Sequence, residues 1–281
     1  MVFKFQNIVL SLLFLGCALP ETGWGDRQPV RRVLSLNLCT DQLLASLLPS
    51  YEIIGLSPLA HDCAEAVICE EARSLPVARA EGEDVLNHHP THILESQWGH
   101  SSVTMIARLR SIAYYQLPVA QRLADIPQQI QALARWLNVP ERGDSLARMF
   151  ERQLEQDSHV SGASPSLTAV FYSESDDPLL EDMLAKTGFL SLSGTYDHYR
   201  IFSPEILLVS SPDLLVISSL GAGPSLKEKK LLPDFLWKRF AGSHFLAIPA
   251  KFTLCGIPQS LDAVRLLTAA HIALSREKER L

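Results

Sequence analysis

Three catalytic signatures are missing from this chain. It holds no Gly-x-Ser-x-Gly elbow for a nucleophilic serine, no His-Glu-x-x-His pair for a hydrolytic zinc, and no Walker loop for a nucleotide phosphate. Scattered Ser, His and Asp residues can always be assembled into an imagined triad, so their presence is no signal, and the chain is not expected to be an enzyme. Basic runs interleaved with aromatics are also absent, and the formal net charge is −6, which argues against nucleic acid and against an anionic membrane surface as partners. No Cys-x-x-Cys occurs, which disfavours a thioredoxin-like redox role or a zinc ribbon. The apolar run near the N-terminus, Ile8–Leu15, is far shorter than the roughly 20 residues a spanning helix needs.

What is present is the composition of a soluble globular protein, 47% apolar and 20% charged over 281 residues, long enough for two domains that each bury a core. Lys4, the apolar run and the small residues before Asp26 read as a secretory leader. Cleavage after Gly25 or after Ala18 both suit it. Leu15-Gly16-Cys17 also resembles a bacterial lipoprotein box, although bulky Leu15 and Phe14 depart from that pattern, so ordinary export is favoured over a lipid anchor at Cys17. Export allows disulfides. Beyond Cys17 stand Cys39, Cys63, Cys69 and Cys255, which permit three pairings that sequence alone does not choose between. Cys63 and Cys69 are close enough in sequence to close a small loop.

Two stretches say nearly the same thing. Each opens with a glutamate (Glu83, Glu205), runs briefly as a helix, meets a proline seven residues later (Pro90, Pro212), and continues as an apolar run ending in serine (Ser96, Ser218). They lie 122 residues apart (205 minus 83), too far for a solenoid and suited to two like lobes. Elsewhere, strands are expected at 32–36, 53–56, 92–95, 115–120, 167–172 and 245–248. Helices are expected at 40–48, 101–113, 179–187 and from 260 to about 276. Between the lobes, Ile130, Leu133, Ala134 and Leu137 keep a helical stripe, and Leu146, Met149, Phe150 and Leu154 resume it after Asn138–Gly143. The organisation read from this is a leader at 1–25, an N-terminal lobe at 26–124, a helical connector at 125–160 and a C-terminal lobe at 161–281. The fold class is α/β: two Rossmann-like lobes with parallel sheets, a long interlobe helix and a ligand cleft between.

Taken in order, Arg32-Val-Leu-Ser-Leu-Asn-Leu-Cys-Thr-Asp41, Gly55-Leu-Ser-Pro58, both glutamate–proline units, the connector and Cys255-Gly-Ile-Pro258 resemble the helix-linked periplasmic binding proteins of ABC importers for cobalamin and ferric siderophores. The resemblance runs from about Arg31 to Leu274. It implies a monomeric protein that delivers a metal chelate, its transported ligand and not a resident cofactor, to a permease in the inner membrane. It also implies that Glu83 and Glu205, one per lobe, dock onto permease arginines. Two exposed carboxylates at fixed spacing suit charge-complementary, bivalent docking. A helix N-terminus would favour each glutamate anyway. The acidic Ser173–Asp177 segment is shorter than the glycine-containing loop of many relatives.

In open α/β sheets ligands sit beyond the carboxyl ends of the strands. That places Asn37, Leu38 and Cys39, then His61, then Trp98 and His100 on the first lobe, and Tyr172, Tyr196 and Phe252 on the second, as candidate ligand contacts. Trp98, in a Gln-Trp-Gly-His loop, suits stacking on a flat macrocycle or catecholate; ordinary packing competes for it and for the other aromatics. Cys39 and Cys255 follow strands on different lobes. A bond between them would staple the lobes, so buried fillers or free thiols are expected, with no metal there. His88, His89 and His92 resemble a zinc cluster, but Pro90 breaks the helix that would align them. A bare zinc or manganese ion would instead require His61, His100 and a residue such as His198 to converge. The remaining alternative is heme.

Overall fold

A computed structural model of the chain describes residues 31–159, 166–172, 177–192, 204–219, 238–240 and 244–280, with the side chains of 204–206 excepted. The leader, Ser173, Tyr196, His198 and the lysines at 227, 229 and 230 lie outside the described residues.

Among the described residues, eight strands form two sheets of four. The first lobe contains β1 (Val33–Ser35), α1 (Leu38–Leu47), β2 (Ile53–Gly55), α2 (Cys69–Ala72), α3 (Gly82–His88), β3 (His92–Ser96), α4 (Ser101–Leu109) and β4 (Ala113–Leu117). Next come α5 (Asp125–Trp136) and α6 (Pro140–Asp157). The second lobe contains β5 (Leu167–Tyr172), α7 (Pro178–Lys186), β6 (Phe189–Ser191), α8 (Pro204–Ser210), β7 (Leu214–Ser219), β8 (Phe245–Pro249) and α9 (Ser260–Lys278). Both sheets are parallel throughout, ordered β2-β1-β3-β4 and β6-β5-β7-β8, the same permutation twice.

The internal repeat holds residue for residue. α3 and α8, β3 and β7 start at positions 122 apart (204 minus 82; 214 minus 92). Both helices stop at a non-glycine residue in the left-handed region, His89 at φ 49° and Ser211 at φ 43°, each followed by proline. The next residue ties the strand to its neighbour in both copies. Thr91 Oγ1 accepts from the Arg32 amide at 2.9 Å, and the Asp213 carboxylate accepts from the Thr168 amide at 2.8 Å.

The strands read as near-continuous apolar runs because helices cover both faces of a parallel sheet. Side chains alternate across the sheet: Val33 and Leu94 pack toward α1, while Leu34 and Ile93 pack with Val85, Val103 and Ala107 of α3 and α4. Each lobe has a smaller cluster of its own, and the two lobes share a core. One apolar cluster runs from Leu43 and Leu94 through Ile130, Leu133 and Phe150 of α5 and α6 to Phe171, Val264 and Leu267. Residues 31–281 form one compact unit.

The connector is two helices broken at 137–139, where Asn138 takes φ 55°. α6 folds against α5 so closely that a Cβ on Gly143 would lie 2.3 Å from the Ala134 Cβ, so only glycine fits. The crossing itself is α6, 18 residues and therefore about 27 Å long. It begins beside Leu137, whose carbonyl meets the Arg31 guanidinium just ahead of β1. It ends at Asp157, which accepts from Arg265 Nε at 2.8 Å and, through its carbonyl, from Thr268 Oγ1 at 2.7 Å, both on α9. α6 thus runs from the amino edge of the first sheet to the first half of α9. Among the described residues no helix is long and apolar enough to cross a membrane.

Candidate functional site

The loops at the carboxyl edges of the strands converge between the lobes. Asn37 and Cys39 follow β1, Ser96 and Trp98 end β3, Pro118–Ala120 follow β4, Asp177 and Leu179 follow β5, and Cys255 and Gly256 follow β8. With Gln129 of α5 they enclose a cavity of about 80 Å³. That holds an edge of a chelate and not the whole of one, since ligand sites span roughly 300–1,000 Å³. A shallower depression of about 450 Å³, lined by Ala273, Arg276, Glu277 and Arg280, belongs to the last turns of α9 alone. Lys278 there reaches the Ser166 carbonyl, just before β5, at 3.3 Å, which puts the depression at the opposite edge of the sheet.

Trp98 is 73% exposed at this cavity, an unusual exposure for tryptophan. Asn37 caps α1, its Oδ1 accepting from the Cys39 amide at 3.0 Å, so it serves the helix as well as the cavity wall. His100 stands next to the site on the N-cap of α4. Its Nδ1 lies 2.9 Å from Glu95 Oε1, and Glu95, only 2% exposed, also accepts from the Tyr114 hydroxyl at 2.7 Å. Burial first, and then the Glu95 charge among smaller effects, pushes the Tyr114 hydroxyl above its ordinary range. Asp177 caps α7 and is likewise raised by burial, against the pull of the Leu179 and Leu180 amides. No lysine or arginine lines the cavity among the described residues.

The remaining candidates fall elsewhere. Leu38 is buried in the core. Phe252 packs half-buried against that core, with Lys251 Nζ 5.5 Å from its ring centroid. Tyr172 packs with Val170, Leu207 and Phe240. His61 does not line the cavity, and its Nε2 is buried without a partner among the described residues. Tyr196 lies outside the described residues. Glu83 is exposed in the first turn of α3, and Glu205 occupies the matching turn of α8. His88 ends α3 while His92 begins β3 and stacks edge-on against Trp136, 5.1 Å between centroids. Among the described residues, the one group whose ligand atoms converge is Cys63, Cys69 and Glu70, where both sulfurs are already bonded together.

One expectation is overturned. Cys39 and Cys255 are neither fillers nor free thiols but a disulfide, S–S 2.08 Å and Cα–Cα 5.3 Å, joining residues 216 apart across the lobes. They meet because the two lobes already touch there. A Cβ on Gly256 would lie 2.5 Å from Ala120 Cβ, and the Leu123 amide donates to the Asp182 carboxylate at 2.7 Å. Cys63–Cys69 closes the small loop within the first lobe.

Sequence reasoning passed over Pro118–Ala120, Gln129 and Asp177. It also missed Asp41, a fully buried carboxyl on α1 that accepts from the Ser57 amide at 3.2 Å and hydroxyl, linking α1 to the loop after β2. Its pKa is raised to about 7 by desolvation, which outweighs its hydrogen bonds from Ser35 and Ser57. A polar residue inside an apolar helical stripe was the available signal.

No protein-family profile matches the sequence, and no curated protein does either. Solved structures do. The chain resembles the apo periplasmic heme-binding protein RhuT of Roseiflexus sp. RS-1 with TM-score 0.70 and 18% identity, over 88% of this chain and 100% of that one. It resembles the periplasmic vitamin B12-binding protein BtuF of Vibrio cholerae with TM-score 0.67 and 17% identity, over 88% and 98%. A periplasmic heme-binding protein of Pseudomonas aeruginosa gives TM-score 0.68 and 16% identity, over 86% and 92%. The chain therefore has the fold of the two-lobed periplasmic binding proteins.

Proposed function

We propose that this chain is the exported solute-binding component of an ABC importer, holding a metal chelate between its lobes and presenting it to an inner-membrane permease through Glu83 and Glu205. The observation that carries this is Trp98, a tryptophan 73% exposed at a strand tip, over a cavity between two lobes of like topology. An exposed indole face there offers a flat apolar ligand a stacking surface. Structures of the same fold bear the names of heme- and B12-binding proteins, which supports a cargo of this class.

The cavity wall favours an uncharged corrinoid or neutral ferric chelate over an anionic catecholate. Asp177 lines it, buried Glu95 stands behind it, and no described cation offsets them. Heme is the second reading, favoured by His100: a buried carboxylate holding one imidazole nitrogen is how proteins orient a histidine toward a metal.

The test is titration of the purified exported protein with cyanocobalamin, hydroxamate and catecholate ferric siderophores, hemin and zinc, followed by tryptophan fluorescence and thermal shift. Saturable binding of one chelate supports the reading and names the cargo. Binding of hemin with a Soret band altered in His100→Ala selects the second reading. Zinc binding alone, or no binding across the panel, rejects the chelate assignment.

A further inference from the structure

We propose that the Cys39–Cys255 disulfide is a reducible latch, a site of thiol–disulfide exchange whose opening by a protein dithiol releases the two lobes from each other. The proposal rests on the interlobe cleft being where cargo enters and leaves.

The two lobes are tied by a helix and by a disulfide. α6 crosses from beside Arg31 and Leu137, at the amino edge of the first sheet, to Asp157 against the first half of α9. The disulfide joins the carboxyl edges, from the first turn of α1 to the loop between β8 and α9, with the two Cα atoms 5.3 Å apart. A rotation that parts the lobes at the cleft draws the two Cα atoms away from each other, because one sits on each side of the cavity. A disulfide tolerates a Cα separation of no more than about 7 Å, so that rotation is blocked while the bond is intact. Other contacts across this seam, among them Gly256 against Ala120, the Leu123 amide on Asp182 and the shared apolar cluster, are noncovalent and can part and re-form.

The bond is open to attack from the cleft. Both cysteines line the cavity; Cys39 is partly exposed, while Cys255 is 3% exposed. A thiolate of the reductant attacks Cys39 Sγ, forming a mixed disulfide and expelling Cys255 as a thiolate that takes up a proton. The reductant's second thiol then attacks the mixed disulfide and expels Cys39. Two electrons and two protons pass to the cysteine pair, and the reductant leaves as its own disulfide. Cys39 lies in the first turn of α1, where the helix N-terminus stabilises the released thiolate. Cys63–Cys69 spans six residues inside one lobe, so breaking it leaves lobe spacing untouched and supplies an internal control.

The experiment compares the oxidised protein, the protein reduced by thioredoxin or dithiothreitol, Cys39→Ser/Cys255→Ser and Cys63→Ser/Cys69→Ser. Alkylation and mass spectrometry identify which bond is open. Hydrogen exchange reads residues 118–123 and 254–258, and stopped flow reads cyanocobalamin and hemin association. The expected result is at least tenfold faster exchange in both segments, and several-fold faster association, whenever Cys39–Cys255 is open, with no change when Cys63–Cys69 alone is removed. Equal exchange with the bond open and closed overturns the latch, as does a Cys39–Cys255 bond that resists the dithiol in the native protein. Exchange needs no cargo, so failure of every chelate to bind rejects the function proposed above while the latch is still judged. If the serine double variant fails to fold, the reduced native protein decides.

Discussion

Asp41 and Ser57 tie helix α1 to the loop after β2: the buried carboxylate accepts both the amide and the hydroxyl of Ser57 across 16 residues of chain. Its pKa stands raised from 3.8 to about 7, chiefly by desolvation. The folded protein therefore keeps this proton over a range where the unfolded chain has lost it. Between those two values the native state binds more protons, so the contribution of Asp41 to stability falls as pH rises from about 4 to about 7 and is constant above. At 1.36 kcal/mol per unit the loss is at most about 4 kcal/mol. Asp41→Asn should flatten the pH dependence of denaturant-induced unfolding over that window. Parallel curves for the two proteins would show that Asp41 titrates normally in the fold.

Much of this architecture could be read from the chain, and the reason is local. The Glu83 and Glu205 units signal themselves by spacing, and their helices and strands start where an offset of 122 places them. Strand β5 fills the whole expected span, Leu167–Tyr172. The three-residue β6 escaped, although the equally short β1 and β2 did not. The connector's stripe and its break were both visible, although the break is confined to 137–139, turned by left-handed Asn138, and α6 resumes at Pro140 and not after Gly143. The site was legible only in part. Trp98 and Cys39 follow strands and could be placed by topology. The Cys39–Cys255 bond could not, because its partners are brought together by packing across 216 residues.

Trp98 makes its contribution to the ligand and not to the fold. At 73% exposed it has little burial to lose, so Trp98→Ala should leave unfolding free energy within about 0.5 kcal/mol of the parent. Loss of an aromatic stacking surface, about 0.5–1.5 kcal/mol beyond the area it covers, should weaken chelate binding at least tenfold. Isothermal titration beside thermal unfolding separates the two. A variant that melts early and still binds would return Trp98 to packing.

Glu83 and Glu205 should matter only downstream of binding. Reversing either charge to lysine leaves chelate affinity unchanged, because Glu83 does not line the cavity and Glu205 holds the matching place on the other lobe. Transport in vesicles carrying the cognate permease should fall about tenfold for each single reversal and further for the pair, with a dependence on salt. Equal transport by the double reversal would leave the two glutamates as helix-start residues and nothing more.

The seam between the lobes depends on a missing methyl. A Cβ on Gly256 would stand 2.5 Å from the Ala120 Cβ and 3.3 Å from Ile126 Cγ1, with the adjoining Cys255 held by the disulfide. Overpacking of that kind costs about 1–3 kcal/mol, so Gly256→Ala should lower the melting temperature measurably. Removing the opposing methyl in Gly256→Ala/Ala120→Gly should restore most of it. Failure of the second change to rescue the first would place the strain elsewhere than the Ala120 contact.

His89 and Ser211 give the repeat its last test. Both end a helix in the left-handed region, at φ 49° and 43°, where a Cβ is crowded by its own carbonyl and glycine is not. The left-handed conformation costs a residue with a side chain about 1–2 kcal/mol, and glycine's extra freedom in the unfolded chain offsets part of the gain. His89→Gly should therefore stabilise the protein by up to about 1 kcal/mol, and Ser211→Gly by a similar amount, since neither loses a buried side chain. Urea unfolding of the two single variants and their combination measures both. The sites lie in different lobes, so the effects should add. A gain at one site and a loss at the other would mean that the two turns, alike in backbone, are held by different forces.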